Sequence, residues 1–240
     1  MNINDIKNHP QLAAAKRLVD LIDQDMIGRV ALNKEHQATH ILFIIRDLLG
    51  TECKKILDIG TLWGGSMITM MQHEHPAYFV SIDMFNGFYK DLTGFDTDPA
   101  VGKTNTIELV TENVEQYNQY GHKYKLVKGS SHDKKIIDEV YSLVSNSVDL
   151  LFIDGDHTKA GVIQDWNDYS NLVSKNGIVV FDDHWSGELS HHGWKNKKHW
   201  KEPERMDVVG AYKEISETQN FIDNWEEIGL FLDKMIVRRK

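Results

Sequence analysis

Five short runs rich in Val, Ile, Leu and Phe, at residues 55–59, 78–82, 125–127, 148–153 and 178–181, recur through the middle of this 240-residue chain. Longer, more polar stretches of helical period separate them. A strand that returns parallel to its predecessor needs a crossover of about a dozen residues or more, which a helix usually supplies. The stretch 132–147 carries Ile136, Ile137, Val140, Leu143 and Val144 on one helical face, and a second helix is expected around 162–173. The pattern predicts an α/β fold: a Rossmann-like doubly wound sheet, mostly parallel, with helices on both faces. Two further runs, 225–232 and 234–239, predict an antiparallel C-terminal hairpin around Asp233 that finishes the sheet.

Ahead of the sheet, 11–27 and 35–49 read as two helices, the first with Leu12, Ala15, Leu18, Val19 and Ile22 on one face. Residues 1–50 are therefore expected to form an N-terminal helical extension packed on the core, and 51–240 the main domain. Two stretches interrupt the alternation, 86–104 and 186–204. The second contains SHHGWKNKKHWKEPE, and a connection of this length with this His, Trp and Lys content predicts a lid-like insertion over a ligand.

The first run leads directly into Asp58-Ile59-Gly60-Thr61-Leu62-Trp63-Gly64-Gly65-Ser66. A glycine turn after the first strand of a doubly wound sheet lets a ligand approach backbone N–H groups. Glycines at 60, 64 and 65 do not make G-x-G-x-x-G, so a dinucleotide pyrophosphate fits poorly. The second strand ends in Asp83, where a carboxylate can accept both hydroxyls of a ribose, and adenosine without a pyrophosphate fits both features. The fourth and fifth strands read VDLLFIDGDHTKAG and GIVVFDDHW. Their carboxyl ends share one rim, so Asp154, Asp156, Asp182 and Asp183 should converge. Carboxylates that close repel one another, and a divalent cation stabilises the ionised set. Oxygen donors in this number suit Mg²⁺, or Mn²⁺ or Ca²⁺.

ILDIGTLWGGS followed by FVSID resembles the first two motifs of class I S-adenosylmethionine-dependent methyltransferases. The resemblance implies that Asp58 faces the methionine ammonium, Gly60 and Thr61 give backbone contacts, and Ser66 meets the methionine carboxylate. It further implies that Asp83, with Met84 beside it, takes the ribose. Gly129-Ser130-Ser131-His132 resembles the turn that lines the adenine, which implicates Ser130 and Ser131, and Asp154 closes the cofactor set. FIDGDH, the helix bearing Asp165 and Trp166, NGIVVFDDH and DMFNGF at 83–88 are similar to one branch of that class. It comprises macrocin-type sugar O-methyltransferases and cephalosporin hydroxylase-like proteins, together with catechol O-methyltransferases. That likeness implies metal ligands at Asp154, Asp182 and Asp183.

The implied chemistry is metal-assisted O-methylation of a small-molecule hydroxyl, a vicinal diol of a sugar or a catechol-like group, with S-adenosylmethionine as methyl donor. Two candidates for the base stand side by side. The branch resemblance points to Asp156, whereas His157, where catechol enzymes place a lysine, titrates near neutrality and suits the task chemically. His184 is a further candidate ligand or substrate contact. The rival readings are an RNA methyltransferase, suggested by the basic residues at 195–201, and a nucleoside-binding module without chemistry. Twenty-seven basic against 36 acidic residues give a net charge of −9, which argues against broad electrostatic capture of nucleic acid or an anionic membrane. The single cysteine, Cys53, excludes an intramolecular disulfide and is expected to be a small buried hydrophobe. No signal peptide or membrane-spanning run is visible, so a cytoplasmic location is expected, and the chain leaves room for a homo-oligomer.

Overall fold

A computed structural model of the chain describes residues 1–30, 38–87, 90–184 and 206–240. The strands are β1 Lys55–Ile59, β2 Tyr78–Asp83, β3 Lys123–Lys128, β4 Val148–Ile153, β5 Val173–Phe181, β6 Trp225–Phe231 and β7 Lys234–Arg239. They form one sheet in the order β3-β2-β1-β4-β5-β7-β6. The first five are parallel and the last two antiparallel to their neighbours. The predicted doubly wound sheet with a C-terminal hairpin is therefore the observed one. The parallel strands all end at one edge, where residues following β1, β2, β3, β4 and β5 meet.

The helices are α1 Ile3–Lys7, α2 Leu12–Asp25, α3 His40–Leu49, α4 Gly65–Met71, α5 Lys90–Thr93, α6 Ile107–Tyr117, α7 Lys134–Leu143, α8 Lys159–Tyr169, α9 Val208–Ser216 and α10 Gln219–Asn224. Alternate residues of each strand feed two separate cores, as the period of two requires. Ile56, Phe79, Phe152 and Val180 pack with α2, α3, α4 and α6 on one face. Leu57, Val80, Leu151, Ile153 and Phe181 pack with α7, α8, α9 and α10 on the other. On that second face Trp166 stacks on Phe181 and meets Trp225, with ring centroids 5.6 and 4.7 Å away. Truncating an aromatic residue so placed costs about 3–5 kcal/mol. Cys53 lies in the first core, where burial pushes its thiol up to about 12 and leaves it inert.

Three local differences from the sequence reading have physical causes. The helix expected over 162–173 begins earlier, capped by Thr158, whose side chain accepts from the Gly161 N–H, and it ends at Tyr169. Strand β5 starts at Val173 instead of 178, because residues between Val173 and Ile178 bulge while the strand keeps its pairing with β4. Asn176 takes φ +64° in that bulge, and Ser174 bonds the Val148 carbonyl and Asp149. Strand β3 is longer than 125–127. It lies at the sheet edge with Lys123 and Lys125 exposed, a composition that suits an edge strand and hides it from a hydrophobicity pattern.

The N-terminal helices share the first core, and the segment after α2 crosses the glycine turn. A Cβ on Gly65 would strike the Val30 backbone, and one on Gly28 the Trp63 ring. Arg29 closes this crossing with two 2.8 Å bonds to buried Asp98, which also accepts from the Trp63 indole at 3.1 Å. The predicted lid at 186–204 lies outside the described residues, as do 35–37 of the second predicted helix.

Candidate active site

The glycine turn is held by its neighbours. Gly60 adopts φ +99°, its N–H donates to the Ile82 carbonyl at 2.9 Å, and a Cβ there would overlap the Asp154 carbonyl oxygen. Only glycine allows the ends of β1 and β4 to approach so closely. Asp58 is fully buried beneath the turn. It accepts from Ser81 Oγ at 2.7 Å and from Ser66 Oγ at 3.1 Å, and burial pushes its carboxyl up to about 7 against the lowering effect of those bonds. Thr61 and Ser81 hydroxyls bond at 2.6 Å. Asp58, Ser66, Thr61 and Ser81 thus form one polar knot under the loop, and the Ser66 hydroxyl is directed at Asp58.

Asp83 ends β2 beside it. Its carboxylate accepts from the Leu62 N–H at 2.8 Å, the Phe85 N–H at 2.7 Å and Asn105 Nδ2 at 3.2 Å. Burial nonetheless raises its pKa. Leu62 and Phe85 both have positive φ, +47° and +45°, so two non-glycine residues in a disfavoured conformation aim their N–H groups at one carboxylate. Asn105, unremarked in the sequence, also bonds the Leu62 carbonyl and the Gly87 N–H. Met84 is 40% exposed next to Asp83. The loop after β3 is joined to this point by the Gly129 N–H, which donates to the Asp83 carbonyl at 2.9 Å. Ser130 Oγ accepts from the His132 N–H, and the Ser131 carbonyl accepts from the Tyr169 hydroxyl at 2.6 Å. His132 pairs with buried Asp165 at 3.1 Å, a contact that raises the imidazole pKa.

The acids after β4 and β5 divide into two groups. Asp154, Asp182 and Asp183 share one cluster. His157, buried, bridges two of them, with Nε2 3.0 Å from Asp154 Oδ1 and Nδ1 3.3 Å from Asp183 Oδ2. Burial alone would lower the imidazole pKa, but the bond to Asp154 and the charges of Asp183, Asp154 and Asp182 raise it to about 9. Asp156 belongs elsewhere: its Oδ1 accepts from the Thr158 N–H at 2.9 Å at the start of α8, and its charge acts on His132 and Asp165. The two candidate bases therefore sit in different surroundings, and only His157 touches the acidic cluster. His184 is buried against Tyr212, at 5.1 Å between ring centroids, and burial lowers its pKa.

Two residues absent from the sequence reading of the cluster complete it. Asp233, in the β6–β7 turn, presents an oxygen within 4.8 Å of oxygens of Asp182 and Asp183. Lys234, 1% exposed, bonds Asp182 Oδ1 and lies 3.0 Å from Asp233 Oδ1. Burial would raise the Asp182 carboxyl, but the Lys234 ammonium holds it below the usual range. Asp154 goes the other way: burial and the Asp182 charge raise it well above its ordinary value. Asp182, Asp183 and Asp233 bring carboxylate oxygens within 4.8 Å of one another, and the charge of Asp182 acts on Asp154, so the oxygen donors gathered here fit a divalent cation.

The sheet order, the glycine turn at the end of β1 and an acid at the end of β2 together define a class I methyltransferase fold. A family model described as "Methyltransferase domain" matches residues 57–184. The chain belongs to that family, and it is an S-adenosylmethionine-dependent methyltransferase. The uncharacterized protein R132 of Acanthamoeba polyphaga mimivirus is 30% identical over 172 residues, covering 70% of this chain and 68% of its own length. Among solved structures, the O-methyltransferase TomG from Streptomyces achromogenes in complex with SAM matches with TM-score 0.56 at 13% identity, covering 96% of this chain and 89% of that one. The O-methyltransferase from Bacillus cereus in complex with SAH gives 0.54 at 14%, covering 96% and 90%. MycE of the mycinamycin pathway, in complex with Mg and SAH, gives 0.54 at 16% and 96% coverage, but this chain spans only 55% of MycE. At these identities the TM-scores establish a shared fold.

Proposed function

We propose that this chain transfers the methyl group of S-adenosylmethionine to a hydroxyl of a small molecule, a vicinal diol of a sugar or a catechol-like group, with help from a divalent cation, Mg²⁺ or else Mn²⁺ or Ca²⁺. The observation that carries this reading is the acidic cluster of Asp154, Asp182 and Asp183 on the strand ends next to Gly60 and Asp83. An adenosine donor and a cation-bound diol would meet there. The structures of TomG, in complex with SAM, and of MycE, in complex with Mg and SAH, are in keeping with it.

In this reading Gly60, Thr61 and Ser66 border the methionine moiety over buried Asp58. Asp83 accepts from the ribose, with Met84 beside it, and Ser130 and Ser131 border the adenine. Asp154, Asp182 and Asp183 would hold the cation, which would lower the pKa of the bound hydroxyl and fix its orientation. The acceptor oxygen then displaces S-adenosylhomocysteine in line: the C–O bond forms, the C–S bond breaks, and the hydroxyl proton leaves to a base. We assign proton acceptance to His157 in the cation-loaded site: beside the bare carboxylates both its nitrogens are engaged and it holds its proton up to about pH 9, and a cation would take up the charge of Asp154 and Asp183 that keeps it protonated. Asp156 is kept as the alternative. Among the described residues no helix is long and apolar enough to cross a membrane, and the net charge of −9 favours a small acceptor over nucleic acid.

The test pairs calorimetric titration of S-adenosylhomocysteine with a methyl-transfer assay on catechols and sugar diols, each with and without chelator. Chelation should abolish transfer and Mg²⁺ should restore it, while affinity for S-adenosylhomocysteine stays nearly constant, because its neutral thioether does not require the cation. Full turnover in excess chelator would refute the metal-assisted step.

A further inference from the structure

We propose that Lys234 is a built-in counter-cation of the acidic cluster, competing for the oxygens that would hold a divalent ion and so setting how tightly that ion binds. The proposal rests on the metal reading above and concerns a residue outside the expected ligand set. The sheet itself delivers this lysine. Antiparallel pairing matches Phe181 of β5 with Met235 of β7, so Lys234 falls beside Asp182 at the end of the central strands. The His184 N–H donates to the Asp233 carbonyl at 2.8 Å and ties the turn to the loop after β5.

A lysine with 1% exposure is costly unless its charge is matched, and here two carboxylates match it. Its ammonium also lies 5.9 Å from the centroid of the Phe152 ring. Of the three acids whose oxygens converge within 4.8 Å, Asp182, Asp183 and Asp233, Lys234 touches the first and the last. Whatever proton His157 carries, Lys234 removes one full negative charge from the side of the cluster where a cation's donors meet. Its own charge also repels an incoming divalent ion across a short, poorly screened distance. The expected result is a site that takes a divalent ion reversibly, where the unopposed carboxylates would hold it fast.

The experiment uses the full chain stripped of metal and measures Mn²⁺ binding directly by calorimetry and electron paramagnetic resonance, with melting curves with and without Mn²⁺. Lys234→Met and Lys234→Gln remove the charge, whereas Lys234→Arg keeps it. Both neutral variants should bind Mn²⁺ roughly tenfold more tightly or better than the parent and show a larger Mn²⁺-induced rise in melting temperature, with Lys234→Arg near the parent. Neutral variants that bind Mn²⁺ no more tightly than the parent overturn the proposal, as does a Lys234→Arg variant that binds as tightly as Lys234→Met. If the neutral variants fold only with Mn²⁺ the proposal is supported; if they stay unfolded at saturating Mn²⁺, Lys234 is scaffold and the proposal falls. A parent that binds no Mn²⁺ while the neutral variants do would retain the counter-cation and refute the metal reading of function. No binding by any of the four proteins would refute both.

Discussion

Replacing Asp83 with alanine perturbs cofactor and loop together, and the structure separates the two effects. A carboxylate offers about four lone-pair sites. Three are taken by Leu62 N–H, Phe85 N–H and Asn105 Nδ2, at 2.8, 2.7 and 3.2 Å, so about one remains for a ribose hydroxyl. Losing one charge-assisted bond costs about 1.5–3 kcal/mol, or roughly 10–150-fold in Kd. The alanine variant also strands two backbone N–H groups in positive-φ residues, so its melting temperature should fall as well. Asp83→Asn keeps the shape and one acceptor oxygen but turns an NH2 group toward a donor, and it should fall between parent and alanine in both respects. The assay is calorimetric titration of S-adenosylhomocysteine at 25 °C, with a melting curve for each protein. An alanine variant that binds within about threefold of the parent, though its melting temperature has dropped, would show that Asp83 organises the loop without touching the ribose.

Two further outcomes test other parts of the site. Gly60→Ala should lower stability by about 2–4 kcal/mol, read as a shifted urea midpoint, because the added methyl meets the Asp154 carbonyl in a left-handed backbone; an unchanged midpoint would contradict the close approach of β1 and β4. His157, raised in the folded protein from 6.5 to about 9, contributes stability that is complete below pH 6.5 and lost as pH rises toward 9. For the metal-free protein that decline is at most about 3 kcal/mol. A His157→Gln variant should flatten it, and retention of the parental slope would mean that His157 is not the titrating group.

How much of this was legible in the chain differs between the two halves of the site. The cofactor side lies in local sequence: 56–66 and 79–83 are each one strand and its following turn, and parallel pairing of β1 with β2 brings Asp83 to the glycine loop without long-range information. Asn105 escaped because an asparagine in a loop carries no pattern; only the fold of 94–106 over Leu62 makes it a ligand of Asp83. Asp156 and His157 are adjacent in sequence and looked interchangeable as bases. The helix start after Thr158 turns the first toward the α8 cap and the second toward Asp154 and Asp183.

The alternation of strand and helix, the hairpin around Asp233, the glycine turn and the acids at the ends of β2, β4 and β5 were all determined by the sequence alone, because each depends on periodicity or on residues within a few positions of one another. The charge balance of the acidic cluster was decided by tertiary structure. Lys234 is 52 residues from Asp182, and it reaches Asp182 only because β7 inserts between β5 and β6. A hairpin pattern is the same whichever of its strands joins the sheet. The choice depends on how two cores pack on opposite faces of the last parallel strand, an energy summed over many distant side chains, and no short window of sequence contains it.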